Sequence, residues 1–418
     1  MTMLADLLST VFERRFLQRM AVDDDSRPIE DLSRALVSAT GEVSGRAAGR
    51  KILDRYEALD DEHKLAFFLD LAREMNIDPE AVRDALDAYE ADPSKSTYRT
   101  FMNAAEPARQ ELIRRLNQVP GATNRLVNMR ADLLRMTEGD PQLAALDMDF
   151  RHLFASWFNR GFLVLRPINW ESPAHILEKI IAYEAVHAID SWEDLRRRVE
   201  PADRRCFAFF HPAMADEPLI FVEVALTKGV PGSVQSVLAE DREPLDAETA
   251  DTAVFYSISN CQAGLASISF GNSLIKQVAA DLSLELPQLE TFVTLSPIPG
   301  FAQWHSAAAL EPTIKDEDSL KALAAHYLVN AKRSDGLPLD PVARFHLGNG
   351  ALVHKVHVGA DTSEKGMRQS HGTMVNYLYD LKRVAENHEQ FATSGHVVFS
   401  PEIKTLSTAA QRLLQEAS

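Results

Sequence analysis

The chain has 418 residues with a formal net charge of −17 at pH 7, a length that provides for two domains with separate cores. Its composition, 45% hydrophobic and 25% charged, is typical of a globular protein and excludes a low-complexity chain. The acidic charge disfavours nucleic acids and anionic membranes as partners, and no apolar run approaches the roughly 20 residues of a membrane-spanning helix.

The N-terminal segment is amphipathic and has no apolar core, which excludes a secretory signal. Arg14, Arg15 and Arg19 are compatible with a transit peptide, whereas the acidic run Asp23–Asp25 argues against one. The chain also lacks a C-terminal Ser-Lys-Leu peroxisomal signal. We therefore expect a cytoplasmic protein.

The first part of the chain has helical periodicity throughout, with apolar residues three or four positions apart and charged residues on the opposite faces. Helices are predicted over 28–37, 49–59, 63–75, 79–89, 98–117, 123–136 and 141–157. Asp78, with Pro79 in the first helical position, and Ser94 are predicted N-caps. Because this part contains no strand pattern and no catalytic constellation, we predict an all-helical bundle over residues 1–158 that serves assembly.

The pattern changes near Gly161, where apolar runs typical of strands begin to alternate with helices. Strands are predicted over 162–165, 206–210, 219–226, 253–258, 291–295 and 352–358, and helices over 174–183, from about Gly271 to before Pro287, and over 319–331. Ser172 and Pro173 are expected to open the helix at 174. Interleaved strands and helices predict a mixed α/β domain over residues 159–418, with mostly antiparallel strands at its beginning.

One stretch of this domain, residues 253–301, combines a strand, a loop of small residues and the start of a helix. Its loop, residues 259–271, contains Gly264 and Gly271. Free backbone N–H groups and the positive end of a helix dipole make such a helix start a possible anion site. The common phosphate motifs GxxxxGK[ST] and GxGxxG are absent, so an ordinary strand-to-helix connection remains open.

We expect no metal site, although the chain has 13 histidines. There is no HExxH motif, and His354 and His357 are predicted on opposite faces of a strand, where they cannot share an ion. A GxSxG nucleophile motif is absent, and Cys206 and Cys261 are too few for a zinc site or a disulfide framework. Cys261 lies in the loop and is either a thiolate at a helix terminus or a small buried side chain.

Four motifs together resemble malonyl-CoA decarboxylase. In chain order they are QAGLASISFGNSLIK at 262–276, TLSPIPGF at 294–301, RFHLGNGA at 344–351 and HGTMVNYLYDL at 371–381. The resemblance extends over about residues 140–400, and the N-terminal part resembles the family's helical domain more loosely. It implies an acetyltransferase-like (GNAT-like) fold for the second domain and conversion of malonyl-CoA to acetyl-CoA and carbon dioxide. It also implies that no metal or organic cofactor takes part, since coenzyme A belongs to the substrate.

The resemblance assigns two catalytic residues by motif identity. Ser296 would hydrogen-bond the malonyl group, and His346 would give a proton to the enolate, a step that suits an imidazolium with a pKa near neutrality. From the residues alone, the favoured explanations are a turn-capping serine for Ser296 and a buried core histidine for His346. Tyr377 or Tyr379 is the alternative acid.

The remaining substrate contacts are expected in the pyrophosphate loop and beside the catalytic residues. They are Gly264, Leu265, Ala266, Ser267, Ile268, Ser269, Phe270, Gly271, Asn272, Pro297, Gly300, Asn349, Asn376, Tyr377 and Tyr379. Structural hydrogen bonding explains Asn349 and Asn376 equally well. Animal members of the family have a glutamate in place of Ser269, so no role of that glutamate carries over. Candidate phosphate partners, each equally a solvated charge, are Lys276, Arg344, Lys365 and Arg368.

Two other classes of function remain open. A CoA-dependent acyltransferase on the same scaffold would need a general base, and in a non-catalytic acyl-CoA-binding protein Ser296 and His346 would be structural. The resemblance further implies a role in fatty acid metabolism and a homotetramer built as a dimer of dimers through the helical bundle. The residues themselves indicate only helices with apolar faces.

Overall fold

The computed structural model describes residues 26–38, 42–137, 139–268, 274–307 and 316–417. The N-terminal segment considered as a transit peptide lies outside this part. Two compact units are present: the first contains the described part of Met1–Ala122 together with Met136–Leu146, and the second contains Thr123–Arg135 and the described part of Asp147–Ser418. The domain boundary between residues 158 and 159 stays a prediction.

The first unit is built from short amphipathic helices around an aromatic core. Its helices are α1 (Ile29–Ser38), α2 (Glu42–Ala58), α3 (Asp61–Glu74), α4 (Pro79–Ala91), α5 (Lys95–Ala105) and α6 (Ala108–Leu116). The ring of Tyr56 lies 5.6 Å from that of Phe67 and 5.7 Å from that of Phe68. Both predicted caps are confirmed: Asp78 accepts hydrogen bonds from the first turn of α4, and Ser94 forms a capping box at α5.

The predicted helix over 98–117 is wrong, because two helices, α5 and α6, occupy this range. Pro107 separates them with an extended backbone (φ −68°, ψ 139°), and Glu106 before it is extended as well. A proline has no N–H to donate, and its ring disfavours the helical conformation of the preceding residue. The apolar periodicity continues on both sides of Pro107, and this continuity hid the break.

The second unit contains a mixed sheet with helices packed against it. The remaining α-helices of the described ranges are α7 (Ala122–Met136), α8 (Pro141–Trp157), α9 (Ala174–Tyr183), α10 (Trp192–Val199), α11 (Val234–Leu238), α12 (Leu274–Glu285), α13 (Phe301–Ala307), α14 (Glu317–Asn330), α15 (Pro341–Gly348), α16 (Glu364–Ser370), α17 (Val384–Ser394) and α18 (Pro401–Ala417). The strands are β1 (Val164–Ile168), β2 (Arg204–His211), β3 (Met214–Thr227), β4 (Thr252–Asn260), β5 (Thr291–Thr294), β6 (Ser296–Pro297), β7 (Leu352–His357) and β8 (Met374–Leu378).

The sheet has an antiparallel first half and a parallel step in its middle. Strands β1 to β4 pair antiparallel in succession, and β4 pairs parallel with β5 across the loop and α12. Strands β5 and β6 both pair with β8, which pairs with β7 on its other edge. The predicted fold class, a helical region followed by a GNAT-like mixed α/β domain with early antiparallel strands, agrees with this order.

The core of the second unit lies between the sheet and helices α12 and α14. Val224 and Phe255 from the sheet pack with Val278 and Leu282 of α12 and with Leu323 of α14, each at most 1% exposed. This packing fixes β4 against α12 and so fixes the ends of the loop between them. Of the described helices, none is both long and apolar enough to cross a membrane.

Two local predictions in this unit differ from the structure. Residues 160–162 form a 3-10 turn, and strand β1 begins only at Val164. Pro173 occupies the N-cap position of α9 without a side-chain cap, while the hydroxyl of Ser172 accepts a hydrogen bond from the N–H of Asn169. Ser172 therefore closes the preceding turn and does not cap the helix.

A buried carboxyl group lies in the middle of the sheet. Glu223 of β3 is fully buried, with one oxygen 3.4 Å from the guanidinium of Arg198. Its other oxygen has no hydrogen-bond partner within the described part of the chain. Burial raises the pKa of Glu223 from 4.5 to about 8, the carboxylate of Glu184 adds to this rise, and Arg198 opposes it.

We expect Glu223→Gln to stabilise the protein at alkaline pH. Between about pH 4.5 and pH 8 the unfolded chain releases the Glu223 proton while the folded protein keeps it, so the wild type loses stability as the pH rises through this window. Glutamine does not ionise. Urea unfolding between pH 5 and pH 9 should show that the free energy of unfolding declines less steeply with pH in the variant than in wild type. Equal slopes for the two proteins would contradict this account.

Candidate active site

The candidate site lies where strands β4 and β5 separate. Their parallel ladder ends at Phe255 and Thr294, and the N–H of Leu295 still donates to the Phe255 carbonyl at 3.0 Å. The next residue, Ser296, belongs to β6 and pairs instead with Val375 of β8. Because β4 continues along β3 while β6 turns toward β8, a wedge opens between the two strands.

Helix α15 brings His346 to this wedge. The Asp340 carboxylate caps the helix, since its Oδ1 accepts from the N–H groups of Val342 and Ala343 at 2.9 Å each. Pro341 occupies the first helical position, where its fixed φ favours the helix. The strong start of α15 sets the direction in which His346 projects from its last turn.

A chain of hydrogen bonds connects the two residues that the motifs assign to catalysis. Ser296 Oγ lies 3.1 Å from His346 Nε2 and donates to Thr294 Oγ1 at 2.8 Å. His346 Nδ1 lies 2.9 Å from the hydroxyl of Tyr379. Since Ser296 gives its only proton to Thr294, Nε2 must carry the hydrogen toward Ser296, and Tyr379 then donates to Nδ1.

Burial makes His346 a neutral imidazole in the free protein. Its ring stacks on Tyr377 with centroids 4.5 Å apart, and the side chain is 2% exposed. Desolvation lowers the pKa of His346 from 6.5 to about 3. The expected imidazolium near neutral pH is therefore wrong for the free protein, because no carboxylate in the described part of the chain offsets the loss of water.

A pocket of about 250 Å³ extends from Ser296 and His346 through the wedge. Its walls come from β4, from β6 and from the exposed face of α15, with one residue from the segment after α9. The lining residues are Val186, Phe255, Tyr256, Ile258, Asn260, Ser296, Pro297, Pro341, Val342, Phe345 and His346. Among these described residues none is Lys, Arg, Asp or Glu, so the described lining is mostly apolar and carries no fixed charge.

Asp340 also connects the two sides of the site. Its second oxygen, Oδ2, accepts from the N–H of Gly300 at 3.3 Å. Gly300 ends the turn that follows Ser296, and a Cβ there would overlap the hydroxyl of Tyr327. One fully buried carboxylate thus ties the turn after the serine to the helix that carries His346.

The structure does not bring every predicted contact to the pocket. Pro297 lines it, whereas Tyr377 and Tyr379 contact the ring of His346 and are not among the lining residues. Asn349 donates to the carbonyl of Phe345 at the end of α15. Asn376 donates to the Thr294 carbonyl at 2.7 Å and contacts His357 at 2.5 Å, so both asparagines serve structural hydrogen bonds.

The predicted pyrophosphate loop is described as far as Ile268. Gly264, Leu265 and Ile268 are buried, while Ala266 and Ser267 are exposed. The other predicted contacts of this loop, Ser269, Phe270, Gly271 and Asn272, lie outside the described residues. Cys261 is buried and burial raises the pKa of its thiol, which favours the small buried side chain over a thiolate.

The candidate phosphate partners have other contacts. Arg344 donates to the Pro338 and Leu339 carbonyls, and Lys365 donates to the Ala185 carbonyl at 2.6 Å. Arg368 is exposed beside Glu364, and burial lowers the pKa of Lys276. Within the described ranges, no three His, Cys, Asp or Glu side chains are grouped to hold a metal ion.

Sequence reasoning missed Asp340, Thr294 and the apolar walls of the pocket. Asp340 had a usable signal, since an Asp-Pro pair before an apolar run is the same pattern that identified Asp78 and Pro79 as the start of α4. Thr294 and the wall residues had none, because their roles depend on where β4 and β5 separate.

The family model "Malonyl-CoA decarboxylase C-terminal domain" matches residues 161–318 and 311–417, and "Malonyl-CoA decarboxylase N-terminal domain" matches residues 75–158. The chain is similar to mitochondrial malonyl-CoA decarboxylases of Anser anser anser (35% identity; 73% of this chain, 70% of the relative) and Mus musculus (34%; 72% of each). It is also similar to crystal structures of malonyl-CoA decarboxylases from Rhodopseudomonas palustris (TM-score 0.85, 49% identity, 90% of this chain and 98% of that one) and Agrobacterium vitis (0.85, 50%, 90% and 99%).

We expect His346 to remain neutral, with its hydrogen on Nε2, from about pH 5 to pH 8, since burial holds its pKa near 3. Nitrogen-15 NMR of histidine-labelled protein measures this directly, with His346→Gln identifying the signals. The exposed His63, whose pKa the Asp60 carboxylate raises, should titrate in the same spectra and serves as the internal control. A charged His346 at pH 7 would overturn the assignment.

Proposed function

Because the chain belongs to the malonyl-CoA decarboxylase family, whose members are carboxy-lyases, we propose that its pocket converts malonyl-CoA to acetyl-CoA and carbon dioxide. The observation that carries this proposal is the hydrogen-bonded pair Ser296–His346 at the wall of a pocket whose described lining has no charged side chain. Ser296 would hydrogen-bond the malonyl thioester, and His346 would be the proton donor.

The pocket favours loss of the carboxylate by offering it no charged partner. Phe255, Ile258, Val342 and Phe345 replace water around the substrate with apolar side chains. A carboxylate is poorly stabilised in such surroundings, whereas the departing carbon dioxide is neutral. The protein therefore raises the free energy of the bound carboxylate more than that of the product.

The electron pair of the breaking bond needs an acceptor. When the bond between the carboxyl carbon and the α-carbon breaks, its electrons move into the thioester, and the thioester oxygen becomes an enolate oxygen. The Ser296 hydroxyl would donate to this oxygen in place of Thr294 Oγ1. A donor placed where charge develops lowers the barrier to bond cleavage.

His346 Nε2–H would then protonate the α-carbon and complete acetyl-CoA. An enolate carbon is a much stronger base than an imidazolate nitrogen, so the neutral ring is a sufficient acid, and neutral histidines are known to act on developing enolates. The Tyr379 hydroxyl, at 2.9 Å from Nδ1, would stabilise the ring as it loses its proton. Solvent returns the proton after the product leaves.

We propose that no metal ion and no organic cofactor takes part, since the thioester itself accepts the electron pair. The coenzyme A carrier would lie along β4 beyond Phe255, with its diphosphate at the loop from Gly264 to Asn272. The end of the β4–β5 pairing at Phe255 supports this placement, because strand backbone beyond it could pair with an extended arm that contains amides.

The oligomeric state, the cellular location and the metabolic role are also proposals. Residues 1–158 would assemble a homotetramer as a dimer of dimers, and residues 159–418 would carry catalysis. A cytoplasmic address is supported by the two free cysteines, Cys206 and Cys261. A role in fatty acid metabolism follows from the proposed substrate. Light scattering of the full chain would test the tetramer.

The first test is carbon dioxide and acetyl-CoA formation from malonyl-CoA by the chelator-treated protein. We expect full activity without metal, a loss of about 10²- to 10⁴-fold in His346→Ala because the acid is missing, and a loss of about 10²- to 10³-fold in Ser296→Ala because an enolate donor is missing. His305→Ala, which removes another buried histidine that does not line the pocket, is the control and should keep most of the activity.

Two results would contradict this proposal. Wild type that binds malonyl-CoA without forming acetyl-CoA would exclude the decarboxylase, and acyl acceptors would then be screened to test an acyltransferase. Activity that disappears on chelation and returns with a metal ion would exclude the metal-free reaction.

Asp340→Asn is expected to lower kcat by up to about a hundredfold, because a misplacement near 1 Å between reacting groups has that effect. The amide oxygen can still cap α15, but the amide nitrogen cannot accept from Gly300. Asp78→Asn is the matched control, since Asp78 caps α4 before a proline in the same way. The measurement is the steady-state kcat of both variants, together with their melting temperatures. Equal kcat in the two variants would show that Asp340 does not position the site.

A further inference from the structure

A buried arginine of α7 holds the backbone of the predicted pyrophosphate loop. Arg130 is 1% exposed, and its Nη1 donates to the carbonyls of Gly264 and Ala266 at 2.7 and 3.0 Å. Its Nε and Nη2 donate to the two oxygens of Asp147 in α8, at 2.7 and 3.4 Å. The planar guanidinium thus uses one side for a carboxylate and the other for two carbonyls of a single turn.

The loop lies directly on the backbone of α7. A Cβ at position 264 would overlap the carbonyl oxygen of Val127, so only glycine permits this approach. Ser267 has φ +63°, a left-handed conformation that a residue other than glycine keeps only when its surroundings hold it. The bonds from Arg130 to the two preceding carbonyls supply such a constraint.

These bonds also set the direction of a peptide N–H. The described chain contains no cis peptide bond, so the carbonyl of Ala266 and the N–H of Ser267 point to opposite sides of their peptide plane. With the carbonyl turned toward the buried Arg130, the N–H of the exposed Ser267 is turned away from it. A backbone donor directed outward from a loop before a helix suits an anionic group.

We propose that Arg130 is a positioning residue for the diphosphate of coenzyme A, acting only through the backbone of residues 264–267. This inference rests on the proposed function, which places the carrier at this loop. Arg130 is too deeply buried to touch the ligand, and Asp147 keeps its guanidinium oriented. The residue lies in the part of the chain that the sequence assigned to assembly alone.

A positioning role predicts that loss of Arg130 weakens the binding of the coenzyme A carrier more than it affects the reaction of the malonyl group. We expect Arg130→Met to lower kcat/KM for malonyl-CoA about tenfold through KM, the size of one charge-assisted hydrogen bond to a phosphate. Malonyl-pantetheine has the same thioester but neither diphosphate nor nucleotide, and its kcat/KM should change less than about twofold, since its contacts lie elsewhere. Asp147→Asn should have a smaller effect of the same kind, because Arg130 is retained.

Arg109→Met is the matched control, because Arg109 is a buried arginine of α6 that donates to the carbonyl of Ala72, far from the loop in sequence. It should leave the ratio of the two kcat/KM values unchanged. An equal loss on both substrates in Arg130→Met, or no loss on either, would overturn the positioning role.

Calorimetric titration with coenzyme A itself tests the inference without turnover. Arg130→Met and Asp147→Asn should raise Kd, while Arg109→Met should not. If wild type binds coenzyme A but consumes neither substrate, the proposed reaction fails and the Kd values alone decide the role of Arg130. Wild type that does not bind coenzyme A would overturn both.

Discussion

The site depends on the burial of one imidazole. A ring that has lost its water needs a hydrogen-bond partner at each nitrogen, and His346 finds them in Ser296 and Tyr379, which come from different parts of the sheet. These partners are in place only if β6 leaves β4 and pairs with β8. The separation of the strands that opens the pocket is thus also what completes the surroundings of the histidine.

Two charged side chains, Asp340 and Arg130, fix the backbone on either side of the pocket without lining it. Asp340 fixes the turn after Ser296 through an N–H group, and Arg130 fixes the loop after β4 through two carbonyls. Both are buried, and both act on backbone whose glycine leaves no room for a side chain. The geometry of the two loops is therefore determined by charged groups in the interior and not by the residues at the pocket surface.

Local signals in the sequence identified most of the strands, the helical character of residues 28–157 and the caps at Asp78 and Ser94. They did not identify helix α15, which carries His346, or strand β8, which pairs with β6. They failed at Pro107, where a periodic pattern continued through a break. The motifs identified Ser296 and His346, but the neutrality of His346 depends on its burial, to which distant residues such as Tyr377, 31 positions away, contribute by stacking on its ring. The role of Arg130 had no signal in the sequence, because its partner Gly264 is 134 residues distant and periodicity contains no information about it.

Because the described lining residues carry no charge, the part of the protein that would bind the substrate differs from the part that would cleave it. A pocket that favours loss of a carboxylate cannot also be the place that captures it, since any cation strong enough to bind the group would stabilise it against cleavage. In the proposed complex, recognition would come from the rest of the substrate, through its contacts with the loop after β4 and with the edge of β4. If the proposed reaction is correct, free malonate would be neither bound nor cleaved. Binding of the coenzyme A carrier would then provide the free energy that removes the carboxylate from water.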